Sequence, residues 1–368
     1  MNNVPYADQK IRTREMVIII ANAVIGVGIL TFPRSIAKET DAFDGWISVL
    51  IGGAAVCLIG WLLGKLASRF PTRTYFDYVA LIVGRPFAYL LTLLFGVYSI
   101  LMVSFEVRAV GNIAKQYLFT NTPVEMITLA FLLIVQYAVA GSRMALLRLN
   151  LIFLPIVLLV ILMVQMYTLR FLEWENVRPF FSTDWTTLLK GAKGVTLSMS
   201  GPEIVLFYTL LMKRPQDAPK SVILGLAIPV LLYMTIYMVI IGVFSAAVAR
   251  NLTFPTIELA KGVEVPGGFI ERVESLFFTI WIMTIFNTCT IWFDLTITAL
   301  RSVFTRLSKF AWILILSPII YLIAMQPQNQ VEFLTFGDRL SYIGVVIAYA
   351  IPLLLLTIAK LRGVKESD

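Results

Sequence analysis

Ten apolar runs, each close to or above the roughly 20 residues that a helix needs to cross a bilayer, dominate the 368-residue sequence. They cover about 14–37, 44–68, 86–118, 122–141, 146–169, 186–212, 219–249, 267–303, 308–325 and 333–360. Several exceed 25 residues and should tilt or project beyond the hydrocarbon. With 59% hydrophobic and only 14% charged residues, against roughly 25% charged in soluble domains, too little polar surface exists to cover a water-soluble fold. The same apolar content excludes disorder. The fold class expected is all-α, a polytopic membrane protein of ten transmembrane helices.

Charge distribution orients these helices. The formal charge is +8, and an even number of spans puts both termini on one side. With the N-terminus in the cytoplasm, the inner segments hold Lys10, Arg12 and Arg14; Arg69, Arg73 and Arg85; Arg143 and Arg148; Lys213, Arg214 and Lys220; Arg301, Arg306 and Lys309; and Lys360, Arg362 and Lys365. Glu39, Asp41, Asp44, Glu173, Glu175, Asp184, Glu258, Glu264 and Glu332 gather on the other side. The positive-inside rule accounts for the basic character, so no nucleic-acid partner is expected. No signal peptide is evident, because the first run lacks a cleavage site and is long enough to remain a helix. The segment 72–84 mixes charge with aromatics and reads as a short interfacial helix on the inner face.

Two runs carry helix breakers near their middle. Span 1 contains Ile25-Gly26-Val27-Gly28-Ile29 followed by Thr31-Phe32-Pro33, and span 6 contains Ser198-Met199-Ser200-Gly201-Pro202-Glu203. Glycines weaken a helix and proline removes a ladder hydrogen bond. Ser200 with Glu203 matches a capping box, the mark of a helix restarting. Five spans plus five, with the first of each half broken, predicts an inverted repeat of secondary-transporter type. The chain reads as one transmembrane domain, 1–368, with repeats at about 12–170 and 185–362. Unwound backbone cannot face lipid, so the breaks should line a polar cavity, the expected ligand site. It is framed by Ile25, Gly26, Val27 and Gly28 and by Ser198, Ser200 and Gly201. Mere close packing at the glycines is the competing reading.

A broken helix exposes free N–H groups at its restart and free carbonyls at its stop. That pair suits a zwitterion, carboxylate on the N–H groups and ammonium on the carbonyls, which makes a small α-amino acid the natural ligand. Span 8 is polar at mid-depth: Asn287 shares a face with Ile291, and Thr288 with Trp292. These residues either bind ligand or ion, or bond between helices. Asp294, an intramembrane carboxylate, is a functional candidate within reach of water or Arg301. In span 3, Glu106 and Arg108 point about 200° apart and do not pair locally. Lying about 30 Å beyond Pro86 along the axis, they are placed in the outer part of the membrane, lining a vestibule, as anchors or as part of a gate or ion path. Glu203 reads as a cap or as a charge facing the site.

Histidine is absent, and no nucleophile–base set, metal cluster or phosphate loop is present. No enzyme, metal or cofactor is expected. Cys57 and Cys289 sit in apolar runs and form no disulfide framework. No clear ion-coupling group stands out.

The string from Asn22 to Arg34 resembles the first helix of the amino acid–polyamine–organocation transporter superfamily. More specifically, Gly26-x-Gly28-x-Leu30-Thr31-x-Pro33-Arg34, Asp44-Gly45-Trp46, Ser104-Phe105-Glu106-x-Arg108, Arg178-Pro179 and Phe269-Ile270-Glu271-Arg272-x-Glu274-Ser275 are similar to the B subunit of spore germinant receptors, over about residues 12–360. The resemblance implies a leucine-transporter-type fold in the spore inner membrane and sensing of an L-amino acid. It also implies two partners, a membrane-embedded A subunit and a lipoprotein C subunit. By the same resemblance the pocket falls at Gly26, Ser200, Thr288 and Trp292, and Tyr98 falls on a water or ion path. Ser200 and Trp292 stand where relatives can differ, so ligand preference should vary. The expected function is a membrane subunit of a nutrient (germinant) receptor; a secondary amino-acid transporter of the same fold is the alternative.

Overall fold

The computed structural model describes residues 10–40, 42–262 and 273–366. Asp41, Glu264 and the motif residues 269–272 lie outside them, as do the side chains of Glu274 and Ser275. Among the described residues every regular element is helical. In chain order these are α1 (Thr13–Val24), α2 (Gly28–Thr40), α3 (Gly45–Ser68), α4 (Tyr75–Val83), α5 (Arg85–Tyr117), α6 (Val124–Ala140), α7 (Arg143–Thr168), α8 (Trp174–Val177), α9 (Trp185–Ser198), α10 (Val205–Tyr208), α11 (Ala218–Phe244), α12 (Ala246–Ala249), α13 (Pro255–Lys261), α14 (Val273–Val303), α15 (Lys309–Ala324), α16 (Gln330–Gly344) and α17 (Ile351–Leu361).

Among the described residues, six helices, or continuous helical stretches, are long and apolar enough to cross a membrane alone. Two bent pairs add two more: α1 with α2, at 58°, and α9 with the segment Pro202–Leu211, at 43°. The shorter apolar helices α6 and α15, of 17 and 16 residues, complete ten. These ten match the ten apolar runs, with two differences. The seventh run, read to 249, ends at Phe244, where Ser245 turns the chain at φ 66° and its hydroxyl accepts the Val248 amide to start α12. The segment read as interfacial is α4, and it is a wedge. Tyr75 stacks on Phe207 at 4.5 Å, Tyr78 donates to the Leu206 carbonyl at 3.3 Å, and Tyr75, Tyr78, Val79 and Ile82 are buried.

The bundle has a buried centre and an apolar rim. In α14, 83% of the most apolar window is buried, against 39% for α7, so α14 is a central pillar and α7 a peripheral one. Large apolar side chains on α7, such as Ile152, Leu159 and Met163, face outward. Helix α3 carries its glycines where neighbours come close. A Cβ on Gly52 would lie 2.5 Å from the Ala192 carbonyl oxygen of α9, and one on Gly64 would lie 2.6 Å from the Pro219 Cα of α11. Small residues let transmembrane backbones approach, and dispersion then holds them. The start of span 1 is also tied to the end of span 6. The Ile11 amide donates to the Leu211 carbonyl and the Lys213 amide to the Ile11 carbonyl, each at 2.8 Å.

Gly64→Val forces a branched side chain against backbone that cannot yield. The expected cost is about 1–3 kcal/mol, read as a lowered thermal unfolding midpoint in detergent. Leu58→Ala, on the lipid-facing side of the same helix, should leave the midpoint unchanged; equal shifts for both would contradict this packing.

Candidate functional site

Both breaks fall where glycine was expected to put them, and they touch. Span 1 is unwound at Ile25, Gly26 and Val27; span 6 is unwound at Met199, Ser200 and Gly201. Gly201 has φ 140°, a conformation that side chains rarely adopt, and a Cβ there would lie 2.8 Å from the Ala23 carbonyl. A Cβ on Gly28 would meet the Ser198 carbonyl oxygen at 2.8 Å. Pro33 plays no part in the break, since it sits inside α2. Two tyrosines from outside the broken helices bond their freed carbonyls: Tyr233 donates to Val24 at 3.1 Å and Tyr349 to Met199 at 2.9 Å. Tyr349 belongs to a π-helical stretch, Val345–Ala350, inside span 10. Such stretches are frequent at functional sites.

A cavity of about 310 Å³ opens beside the breaks. Gly26, Val27, Gly28, Ser198, Ser200 and Glu106 border it. The other expected residues are nearby but turned elsewhere. Ile25 faces a separate apolar void of about 10 Å³ with Val157 and Trp281, and Gly201 lies against α1. Thr288 donates to the Asn22 and Thr284 carbonyls at 3.3 and 3.0 Å. The Ile291 carbonyl accepts the Tyr208 hydroxyl at 3.4 Å. Trp292 packs edge-on to Tyr98 at 5.6 Å, and Asn287 is buried with its amide unbonded. Span 8 backs the span-1 break from behind; Thr288 reaches across to Asn22, while Thr284, Thr290 and Thr296 bond to carbonyls of their own helix. The pocket set implied by the resemblance is thereby split, with Gly26 and Ser200 on the cavity and Thr288 and Trp292 off its wall.

The charged residues take roles that spacing alone did not reveal. Glu106 is not in the outer part of the membrane; it lies at the span-1 break. Its Oε1 is 2.6 Å from where a Gly26 Cβ would be, and the carboxylate lies beside the Val27 amide. Helix α5 has 33 residues, about 50 Å at 1.5 Å per residue, so it must tilt and distance along it overstates depth. The anion position at the restart of span 1, expected for a ligand carboxylate, is thus filled by the chain's own. Arg108 points away as expected, its guanidinium 3.6 Å from the Met325 sulfur, and does not line the cavity. Glu203 is a cap: it accepts the Gly201 amide at 2.8 Å and the Tyr98 hydroxyl at 3.1 Å. The carboxylate therefore bonds one residue later than the capping box would place it. Tyr98 also donates to Ser200 at 3.3 Å. Asp294 pairs not with Arg301 but with Arg143 at 2.6 Å, and it accepts the Tyr208 hydroxyl at 3.0 Å. It thereby joins spans 5, 6 and 8 far from the cavity wall.

The outer cavity wall was missed. Thr31, Arg34, Ser35, Lys38 and Glu39 of α2 and Leu334, Gly337, Asp338 and Ser341 of α16 line it, with Met102 and Phe105 of α5. The signal was present: Gly28, Thr31, Ser35 and Lys38 follow the helical spacing of three and four, as do Leu334, Gly337, Asp338 and Ser341.

Comparison with known proteins follows the same lines. The family model described as "Spore germination protein" matches residues 10–333. The chain belongs to the spore germination protein family. It is 35% identical to spore germination protein GerLB of Bacillus cereus, covering 97% of this chain and 96% of that one. It is 32% identical to YndE of Bacillus subtilis (strain 168), covering 96% and 97%, and 27% identical to spore germination protein A2 of the same strain, covering 96% of each. Among solved structures, MhsT in complex with L-phenylalanine superposes with a TM-score of 0.75 at 14% identity, over 95% of this chain and 89% of that one. That likeness is one of fold. The chain is a multi-pass membrane protein of transporter fold in a family of germination proteins.

Asp294→Asn leaves the largely buried Arg143 without its partner. Because Arg143 keeps some solvent contact, a loss of about 1.5–3 kcal/mol is expected, seen as a lower unfolding midpoint. Arg301→Gln, exposed and unneeded by Asp294, should shift it by less than about 0.5 kcal/mol. The reverse ranking would reject the pairing.

Proposed function

We propose that this protein is the membrane subunit of a nutrient (germinant) receptor and that it binds a small L-amino acid at the paired breaks of spans 1 and 6. The observation that carries the reading is the cavity bordered by both unwound segments, where backbone groups stand next to a void. Its volume, about 310 Å³, lies at the small end of the roughly 300–1,000 Å³ typical of ligand pockets. The family supports a role in germination, and the fold is one that in MhsT accommodates L-phenylalanine.

In this reading the chain is one transmembrane domain of two inverted repeats, about 12–170 and 185–362. It resides in the spore inner membrane with both termini on the core side, beside an A subunit and a lipoprotein C subunit. The ligand-facing residues are Gly26, Val27, Gly28, Ser198 and Ser200; Thr288 and Trp292 shape the site from behind. Tyr98, through its bonds to Ser200 and Glu203, links the site to span 3. Signalling requires that the ligand bind one conformation better than another. Two half-helices meeting at flexible glycines, with α16 forming the opposite wall, provide surfaces that can close on a ligand and so create that difference. Fold alone is equally compatible with transport, since function lives in the site.

Gly26→Val should place a side chain into Glu106 and the break. The expected result is loss of the amino-acid germination response, or at least a tenfold rise in the half-maximal concentration, with the protein still present in spore membranes by immunoblot. An unchanged dose response rejects the site. Protein reconstituted in liposomes should show no concentrative uptake of labelled amino acids; uptake would establish the transporter reading instead.

A further inference from the structure

The two breaks carry one carboxylate each, and the two are not used alike. Glu203 spends both oxygens inside the protein, Oε2 on the Gly201 amide and Oε1 on the Tyr98 hydroxyl. Glu106 lies beside the Val27 amide, with Oε1 turned toward Gly26. Its other oxygen, Oε2, is buried and has no hydrogen-bond partner, in a side chain only 4% exposed that borders the cavity. Among the described residues no basic side chain forms an ion pair with Glu106. A cap needs only one oxygen. A buried carboxylate without a counter-charge is costly, and intramembrane carboxylates are found paired or lining a path.

The basic residues of this cavity are at its other end. Arg34 and Lys38 line it on α2, two and three helical turns beyond Gly28, in company with Glu39 and Asp338. The cavity is therefore anionic at the break and mixed in charge at its mouth. This inverts the orientation expected from the bare helix ends, where the restart of span 1 would hold a ligand carboxylate. That position is already taken.

We infer that Glu106 is the group that recognises the cationic end of the ligand, so the site takes a small primary amine, seated with its ammonium on Glu106 at the break and its other end toward Arg34 and Lys38. The inference rests on the nutrient-site reading above and adds the ligand's obligatory feature. An ammonium on Oε2 supplies the missing hydrogen-bond donor and the missing charge together. A carboxylate with no amine meets Glu106 as a like charge and is rejected. An amine with no carboxylate keeps the main contact.

The test uses the full-length protein in nanodiscs, with binding read by calorimetry. The probes are L-alanine and L-phenylalanine, their primary amides, and their α-hydroxy acid counterparts L-lactate and L-phenyllactate. Wild type should bind at least one of the two amino acids, bind its amide within about tenfold, and bind the hydroxy acid at least a hundredfold more weakly. Glu106→Gln keeps an acceptor for the Val27 amide and should unfold at the wild-type temperature. It should bind the amino acid at least tenfold more weakly and lose the preference for amine over hydroxyl. A merely structural Glu106 would not change that preference. Equal binding of amino acid and hydroxy acid by wild type overturns the inference without needing any variant, and so does an unaltered preference in Glu106→Gln.

Ser341→Trp fills the far wall without touching the break. If wild type binds a probe and Ser341→Trp binds it equally well, the cavity is not the site and the underlying reading falls as well. Absence of binding to all six probes by wild type overturns both. Binding lost in Ser341→Trp but indifferent to Glu106→Gln keeps the site and removes Glu106 from it.

Discussion

An unwound backbone inside a membrane has free amides and carbonyls that hydrocarbon cannot satisfy, at several kcal/mol each. That constraint organises the centre of this protein. The breaks in spans 1 and 6 tolerate each other because Gly201 lets the two segments meet at Ala23, and because groups from three other spans reach in. Tyr233 of span 7 and Tyr349 of span 10 donate to freed carbonyls. Glu106 of span 3 sits beside the freed Val27 amide, and Glu203 of span 6 closes over its own restart with help from Tyr98. Among the buried polar atoms left without a partner, one oxygen of Glu106 belongs to a side chain that borders the void, whereas those of Asn22, Asn287 and Trp292 belong to residues off its wall.

The arrangement also links the site to the ends of the bundle. The start of span 1 is bonded to the end of span 6 through Ile11, and Asp217 accepts the Thr13 hydroxyl at 2.8 Å. The end of span 6 is held in turn by Tyr208 to Asp294 and hence to Arg143. These bonds connect the start of span 1 and the end of span 6 to the Arg143–Asp294 pair. On the other side, α16 forms the cavity wall and is separated from α17 by the π-helical stretch that supplies Tyr349.

Much of this was readable beforehand, for identifiable reasons. Hydrocarbon enforces length, so the ten spans followed from apolar runs to within a few residues at most ends, and Gly-x-Gly and Gly-Pro marked both breaks. Family membership was carried by short motifs that the chain holds intact. What resisted reading were tertiary matters. Depth along α5 could not be counted from Pro86, because a 33-residue helix tilts. The partner of Asp294 came from another span, Arg143, and no local spacing encodes that. Thr288 and Trp292 were on an identifiable face of α14, yet which neighbour that face meets is set by packing. The polar stripe Gly28, Thr31, Ser35 and Lys38 was legible and passed over, because charge near a span end reads first as a solvated terminus.

The central claim is that a water-accessible cavity beside the two breaks receives an amino acid. The direct measurement is thiol labelling of Ser341→Cys, on the wall facing the breaks, in a Cys57→Ser background that leaves only the buried Cys289. The account predicts labelling by a membrane-impermeant reagent applied to the side away from the termini, slowed severalfold by a mixture of L-amino acids. A thiol that cannot be reached from that side, or one that reacts at the same rate with and without saturating amino acids, would contradict it.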